Sequence, residues 1–323
     1  MKHHSKSSRQ DTAAALWFIA PNFLGFLIFT AGPVLFSLVI SFSNWNLQRS
    51  VPFGWVGLDN FRELFADANF WLYFLNTLYL MIGIPLAIAG SLCLALLLSQ
   101  KLRGIIAYRT MFYLPSFTSG VALMILWKAL YNPDFGPINV GIEAVLRAFG
   151  LAQVEAPRWL GSMQNLIGLH PEKVELTRQF FGLGARDALI IMGIWTVIGG
   201  NNMLLYLAAL TNVPQELYEA AQIDGAKGWA MFRNVTWPQL APTTFFIVIM
   251  SLIGGLQGGF EQARVLTAGG PAGTTTTLSY YIYTKAFEEF QIGYASAVSW
   301  VLFIMIFAFT LVYWRFGGSE TPH

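Results

Sequence analysis

Stretches without a single Asp, Glu, Lys or Arg alternate along this chain with short charged intervals. Six uncharged runs stand out, 12–48, 68–100, 110–127, 188–215, 234–260 and 290–314, of 37, 33, 18, 28, 27 and 25 residues. A helix rises about 1.5 Å per residue, so about 20 mostly apolar residues cross the roughly 30 Å of hydrocarbon in a bilayer. Each run supplies nearly that length or more. The pattern predicts an all-α, polytopic membrane protein with six transmembrane helices near 16–41, 72–98, 109–131, 188–210, 242–260 and 292–314. A further uncharged run, 265–284, predicts a loop, because its GGPAGTTTT stretch is made of helix-breaking residues and hydroxyls.

Composition supports this reading. Of 323 residues, 55% are hydrophobic and 11% charged, and the mean hydropathy is +0.53; a water-soluble domain could not cover that much apolar surface. Nineteen Lys and Arg against seventeen Asp and Glu leave a net charge of +2, which gives no footprint for nucleic acid. Cys93 is the only cysteine, which excludes an internal disulfide and a cysteine zinc site.

Orientation follows from basic residues beside short loops. Lys2, Lys6 and Arg9 precede the first run, and Lys101, Arg103 and Arg109 fill the 99–109 connection without an acid. Both should face the cytoplasm. The first run is too long for the core of a cleaved signal peptide and reads as a retained span. Residues 1–13 and 316–323 then form cytoplasmic tails around a transmembrane domain, 14–315. By alternation 211–241, with Lys227 and Arg233, is cytoplasmic, and the long stretch 132–187 lies outside, in the periplasm of a bacterial-type cell. Its segment from His170 to Asp187 reads as a surface loop with a helical turn, or alternatively as a short amphipathic helix. A surface for an external protein is a further alternative for this stretch.

Catalysis finds no candidates. The histidines are His3, His4, His170 and His323, none in a proposed span, and no metal-ligand set is present. The chain has no GxxxxGK[ST] phosphate loop, so energy for work must come from another polypeptide or from an ion gradient. An ion-coupled secondary transporter of small polar solutes would hold its ion with carbonyls and hydroxyls alone. A pathway for a neutral polar solute should offer amides, hydroxyls and aromatic faces. Asn76, Trp195, Asn201, Asn202, Gln257 and Trp300 are the candidates within spans, with Glu261 at the outer end of the fifth; helix-to-helix bonding and interfacial anchoring are the competing uses of such residues. Gly254, Gly255, Gly258 and Gly259 suit close helix packing or a hinge, and Pro21, Pro33 and Pro85 suit kinks.

The interval between the fourth and fifth spans, Pro214 to Thr244, is unusually structured. It predicts two short helices. Pro214 suits a helix start, Glu216 and Glu219 suit the positive end of its dipole, and Asp224-Gly225 suits a stop. Ala220 and Ala221 permit close approach by a partner, while Leu217, Tyr218 and Ile223 offer apolar contact. The second helix should run from about Lys227 to Val235 and end before Pro238.

The run EAAQIDGA at 219–226, followed by Phe232, Val235, Pro238 and Pro242, resembles the EAA loop of the inner-membrane permease subunits of binding-protein-dependent ABC importers. LRGIIAYRTMFYLPSFTSGVA from Leu102, WKALYNPDFGPIN from Trp127, LTAGGPAGTT from Leu266 and IYTKAFEEFQIGYASAVS from Ile282 are similar to the carbohydrate-uptake branch of that family. The resemblance implies the type I importer permease fold. It makes the EAA segment a coupling helix seated in a cytoplasmic ATPase subunit, with Glu216, Glu219, Ala220, Ala221, Asp224, Gly225 and Pro238 as its contact and shaping residues. It further implies a dimer of ATPase subunits that bind the ATP, so this chain needs no cofactor of its own. A second and different permease subunit, a solute-binding protein and a carbohydrate or related polar solute complete the assembly. Residues from about Met163 to Arg186 depart from the family pattern as an extra segment, and Val235 and Trp237 are mild departures.

Overall fold

In the computed structural model, residues 4–48, 52–100, 103–151, 153–173 and 175–317 are described. Lys2, His3, Lys101 and the tail from 318 to 323 lie outside the described residues. The chain is helical nearly throughout, and among the described residues β structure is limited to isolated bridges such as Ser43 with Trp55 and Leu169 with Leu176. Five helices are long and apolar enough to cross a membrane: Ala14–Ile40, Ala68–Leu98, Ala185–Thr211, Trp229–Gln257 and Ile292–Arg315. A sixth candidate crossing is the third in order, and it is not one straight helix.

That third segment consists of Ile105–Phe117 and Gly120–Leu130, meeting at 98°. The local cause lies in the sequence between them. Pro115 sits in a 3₁₀ turn, Leu114–Phe117, and Thr118 and Ser119 are extended before Gly120 restarts the helix. The uninterrupted span expected over 109–131 is therefore broken, because an uncharged run reports apolarity and says nothing of backbone breaks.

Two compact units make up the chain. The first comprises residues up to Ala66 together with Ile282–Val301, and the second Asp67–Tyr281 with the remainder of the last helix. Within the first unit, the span Ala14–Ile40 is mostly exposed, and a wide π-turn, Leu27–Ala31, interrupts it just before Pro33. Gly32 N–H donates to Leu27 O, five residues back, so the turn opens where the proline ring would otherwise crowd the preceding carbonyls. Asn60 donates to Ser41 O and Ser43 O at 2.8 and 2.9 Å, which ties the helix Asp59–Ala66 to the end of the first span. Trp300 is a clamp in this unit, its Nε1 donating to Ser37 Oγ at 3.1 Å.

The second unit has two apolar cores. One gathers Leu92, Ala95, Leu98, Met203, Tyr206, Leu240 and Ile247, from spans two, four and five. The other gathers Leu123, Met124, Trp127, Tyr131, Trp159, Ala188, Leu189 and Met192, from the second half of the bent pair, the 132–187 stretch and the start of span four. Spans two and four approach closely because glycines face isoleucines: a Cβ at Gly83 would lie 2.9 Å from Ile190 Cγ2, and one at Gly90 would lie 2.6 Å from Ile198 Cδ1.

Span four begins at Ala185, so Arg186 and Asp187 fall in its first turn, both about 1% exposed, where the uncharged run had placed them outside. Asp187 Oδ1 accepts from Tyr79 OH at 2.5 Å and Oδ2 accepts from Gly184 N at 3.1 Å. Arg186 donates from Nε to Thr274 O at 2.8 Å and from Nη1 to Leu169 O at 3.2 Å, with its guanidinium 5.7 Å from the Tyr79 ring centre. Most of these polar atoms are thus paired, several with groups from distant segments, while Arg186 Nη2 stays buried without a hydrogen-bond partner among the described residues. The stretch 132–187 is a small lobe, with one helix, Pro137–Ala148, and two 3₁₀ turns. The amphipathic helix considered for residues 170–187 is absent; the chain there runs as an irregular loop with a 3₁₀ turn, Arg178–Phe180.

Candidate functional site: an exposed elbow and an apolar cleft

The elbow between spans four and five is built from a helix, Gln215–Ile223, none of whose residues is buried. Pro214 is its N-cap, with Leu217 N–H donating to Pro214 O, and Glu216 lies in the first turn, where the helix dipole favours an acid. Its end is a two-bond reversal. Ala226 N–H donates to Ala221 O at 2.8 Å, and Gly225 N–H donates to Gln222 O at 3.0 Å, with Asp224 as C-cap. Gly225 holds φ +79° and has nothing within 4 Å of where a Cβ would stand, so backbone conformation and not space calls for glycine there.

Beyond the reversal the helix Trp229–Gln257 starts, some residues earlier than the fifth span expected near 242. The separate second helix ending before Pro238 is not formed. A π-turn, Phe232–Thr236, precedes Pro238, with Trp237 N–H donating to Phe232 O, and the helix runs on through the proline. The same device precedes Pro33. The elbow helix is pinned to this helix by Tyr218 OH and Thr236 Oγ1, 3.1 Å apart, and within the latter Trp229 stacks on Phe232 with centroids 5.2 Å apart. The outward face stays apolar and uncovered: Ile223 is 87% exposed and Trp229 71%. Glu216, Glu219, Ala220, Asp224 and Gly225 are exposed beside it, and Ala221 is half-buried.

Of the seven residues proposed for a solute pathway, Trp300 is the Ser37 clamp described above, and the other six have separate surroundings. Asn76 is fully buried, and its Nδ2 donates to Gly273 O and Thr276 O at 2.9 and 3.0 Å, which makes it a clamp on the GGPAGTTTT loop. Trp195 packs edge-on against Trp127, 5.6 Å between centroids, and Asn201 Oδ1 accepts from Tyr113 OH at 3.2 Å. Asn202 is half-buried beside it at the start of Asn201–Thr211. Gln257 is exposed as the last residue of span five, and Gly258 and Gly259 end the helix there. Glu261 therefore belongs to a separate turn, Phe260–Gln262, and not to the span; a Cβ at Gly120 would lie 2.8 Å from its Oε2.

A cleft of about 310 Å³ does open among spans two, four and five. Its walls are mostly Leu, Ile and Met side chains, with Gly193, Gly254, Gly255, Gly258 and Gly259, and its polar atoms come from Thr77, Ser251, Gln262 and Thr277. None of these four was singled out from the sequence, since hydroxyls within apolar runs carry no signal of which face they occupy. Of the glycines, Gly255 is a packing residue, its Cβ position 2.8 Å from Ile84 Cδ1, whereas Gly254 has nothing within 4 Å. No ionisable side chain lines this cleft, and among the described residues no group of His, Cys, Asp and Glu is arranged to hold a metal ion.

Residues 83–316 match the model of the family described as binding-protein-dependent transport system inner membrane component. The chain is 34% identical over 316 residues to the "Probable ABC transporter permease protein YesP" of Bacillus subtilis (strain 168), covering 96% of this chain and 92% of that one. It is 35% identical over 297 residues to the lactose transport system permease protein LacF of Rhizobium radiobacter, covering 90% and 89%. A solved bacterial ABC transporter involved in the import of the acidic polysaccharide alginate contains a chain that superposes with a TM-score of 0.76 at 25% identity, covering 98% of this chain and 99% of that one. Helix content, span pattern, elbow and family match agree, and the chain belongs to the family of inner-membrane permease components of binding-protein-dependent ABC importers, whose ATPase is a separate subunit.

Proposed function

We propose that this permease conducts a carbohydrate or related polar solute, delivered by a solute-binding protein, and that it works beside a second, different permease subunit. The observation that carries the coupling half of this reading is the elbow: a short helix with no buried residue, a fixed glycine reversal and an uncovered face containing Ile223 and Trp229. A surface of that kind in water is stabilised by a partner's groove. The partner is the ATPase subunit, which binds the ATP, so no cofactor resides on this chain. Glu219 and Glu216 meet polar or basic groups of that groove, Ala220 and Ala221 allow it to close in, and Asp224, Gly225 and Pro238 set the angle at which closure is passed to span five. The elbow and both termini then face the cytoplasm, in keeping with Arg103 before the bent pair and Arg109 near the start of its first helix.

The carbohydrate assignment is supported by the likeness to a lactose permease and by a cleft that lacks ionisable side chains. Ser251 and Gln262 become its candidate polar contacts, since the Thr77 and Thr277 hydroxyls are buried and already bonded within the chain. The test is copurification in mild detergent with the ATPase and partner permease, followed by ATP-driven uptake into vesicles. Glu219→Ala should leave membrane insertion intact while uptake per ATP hydrolysed falls. Normal coupling in that variant, or labelling of a cysteine placed at Lys227 by an impermeant reagent in sealed cells, would defeat the assignment.

A further inference from the structure

The lobe formed by 132–187 carries a second concavity, separate from the cleft among the spans and larger than it. Its volume is about 600 Å³, within the range of about 300–1,000 Å³ usual for small-molecule sites. One edge comes from 155–164 and the other from 179–183, so the extra segment that the family pattern leaves unexplained supplies one edge and the end of the other.

Its edges are held by a buried frame. Trp159 is 4% exposed, its Nε1 donates to Asn139 Oδ1 at 2.7 Å, and its ring packs on Tyr131 with centroids 5.0 Å apart. Asn165, fully buried, exchanges side-chain bonds with Leu169 N and O at 2.8 and 2.9 Å. Its own N–H donates to Phe180 O at 2.8 Å and its carbonyl accepts from Gly182 N at 3.1 Å, which joins the two edges. Ala185 N–H donates to Ser162 O, fastening the first edge to the start of span four. A ligand entering here would meet walls already in place, so little ordering cost opposes binding.

The lining has a specific chemistry. Gln164 and Gln179 offer amides, Ser162 a hydroxyl, Phe180 an aromatic wall, and Glu155 with Arg158 one carboxylate and one guanidinium. Amides and charged forks supply the paired donors and acceptors that vicinal hydroxyls need, and an aromatic wall suits the C–H face of a pyranose. The lining charges cancel, so an anionic ligand gains no net attraction. We infer that this lobe pocket is a neutral-saccharide subsite, which holds a sugar unit on the extracytoplasmic side before it enters the membrane. The inference rests on the proposed function for its sidedness and for the class of solute, and it adds a site and a charge preference.

The assembled complex, wild type and variants, is placed in nanodiscs and titrated by saturation-transfer NMR with maltotriose as the neutral probe and trigalacturonate as an acidic probe of equal length. Expected is saturable maltotriose binding that weakens roughly tenfold, the loss of about two hydrogen bonds, in Gln179→Ala and in the Glu155→Ala/Arg158→Ala pair. These side chains are exposed, so the thermal midpoint should not move, and it is measured alongside. Equal maltotriose affinity in wild type and variants, or no saturable binding of either probe, overturns the subsite. Tighter binding of trigalacturonate overturns the neutral preference. Loss of solute-binding-protein capture with sugar binding unchanged overturns it in favour of a protein-docking surface. Copurification of the ATPase is scored in the same preparations. A complex that assembles and ignores sugar defeats the subsite alone, whereas a chain without its ATPase defeats the proposed function.

Discussion

The lobe at 132–187 and the elbow at 212–237 both connect spans, yet they are stabilised in opposite ways. The lobe turns its polar groups inward: Asn139, Asn165 and Trp159 are buried and bonded, and the Arg186–Asp187 turn joins it to Tyr79 and Thr274. Just before the lobe, the buried Tyr131 OH donates to Ala188 O at 2.8 Å. The elbow does the reverse. It keeps its backbone bonds and leaves its side chains outside, Ile223 most of all. Both regions expose apolar side chains, Phe135 and Phe149 in the lobe and Ile223 in the elbow, so the contrast is the buried polar frame that the lobe has and the elbow helix lacks. The lobe is a fixed wall and the elbow is a handle.

If that contrast holds, substitutions should separate stability from coupling. The largest loss should come from Trp159→Ala, about 3–5 kcal/mol for a buried aromatic with its cavity, read as a fall in thermal midpoint of the purified chain. Next is Tyr79→Phe, which leaves Asp187 Oδ1 with only the 3.4 Å bond from Leu166 N and should cost about 1–3 kcal/mol. Gly225→Ala forces φ +79° on a residue with a Cβ, at about 1–2 kcal/mol. Because the elbow is exposed, that cost should appear as local fraying in hydrogen exchange and weaker ATPase coupling, with little change in the midpoint. Ile223→Ser should be smallest for stability, within about 0.5 kcal/mol, yet it should weaken capture of the ATPase roughly tenfold. A midpoint lowered as much by Ile223→Ser as by Trp159→Ala would mean the elbow is packed against this chain and is no handle.

The elbow's outline was readable in advance because its determinants are local. A proline start, acids in the first turn and Asp-Gly at the end lie within one short segment, and the reversal at Gly225 follows from them. The break at Pro115 was also local but went unseen, since counting charges ignores the backbone. Pro238 misled for the opposite reason: a proline was taken as a stop, and a π-turn upstream let the helix continue. Asn76, one of the polar residues proposed for the pathway, shows that a span pattern leaves side-chain direction open. Asn76 is in a span as expected, but it bonds carbonyls almost two hundred positions away in sequence, at Gly273 and Thr276.

What this sequence determined alone is the medium and the trade: apolar runs long enough to cross a bilayer, and an EAA elbow that marks a permease driven by another subunit. Hydrophobic length and local capping act within a few turns of chain, so they survive without knowledge of partners. Tertiary structure decided which polar groups are clamps and which line a cavity. It buried Arg186 and Asp187 inside the fourth span, sent Asn76 to a loop, gave the cleft to Thr77, Ser251, Gln262 and Thr277, and shaped the lobe pocket. Each of these depends on which atoms a fold places opposite one another, and a buried polar group takes its role from those atoms.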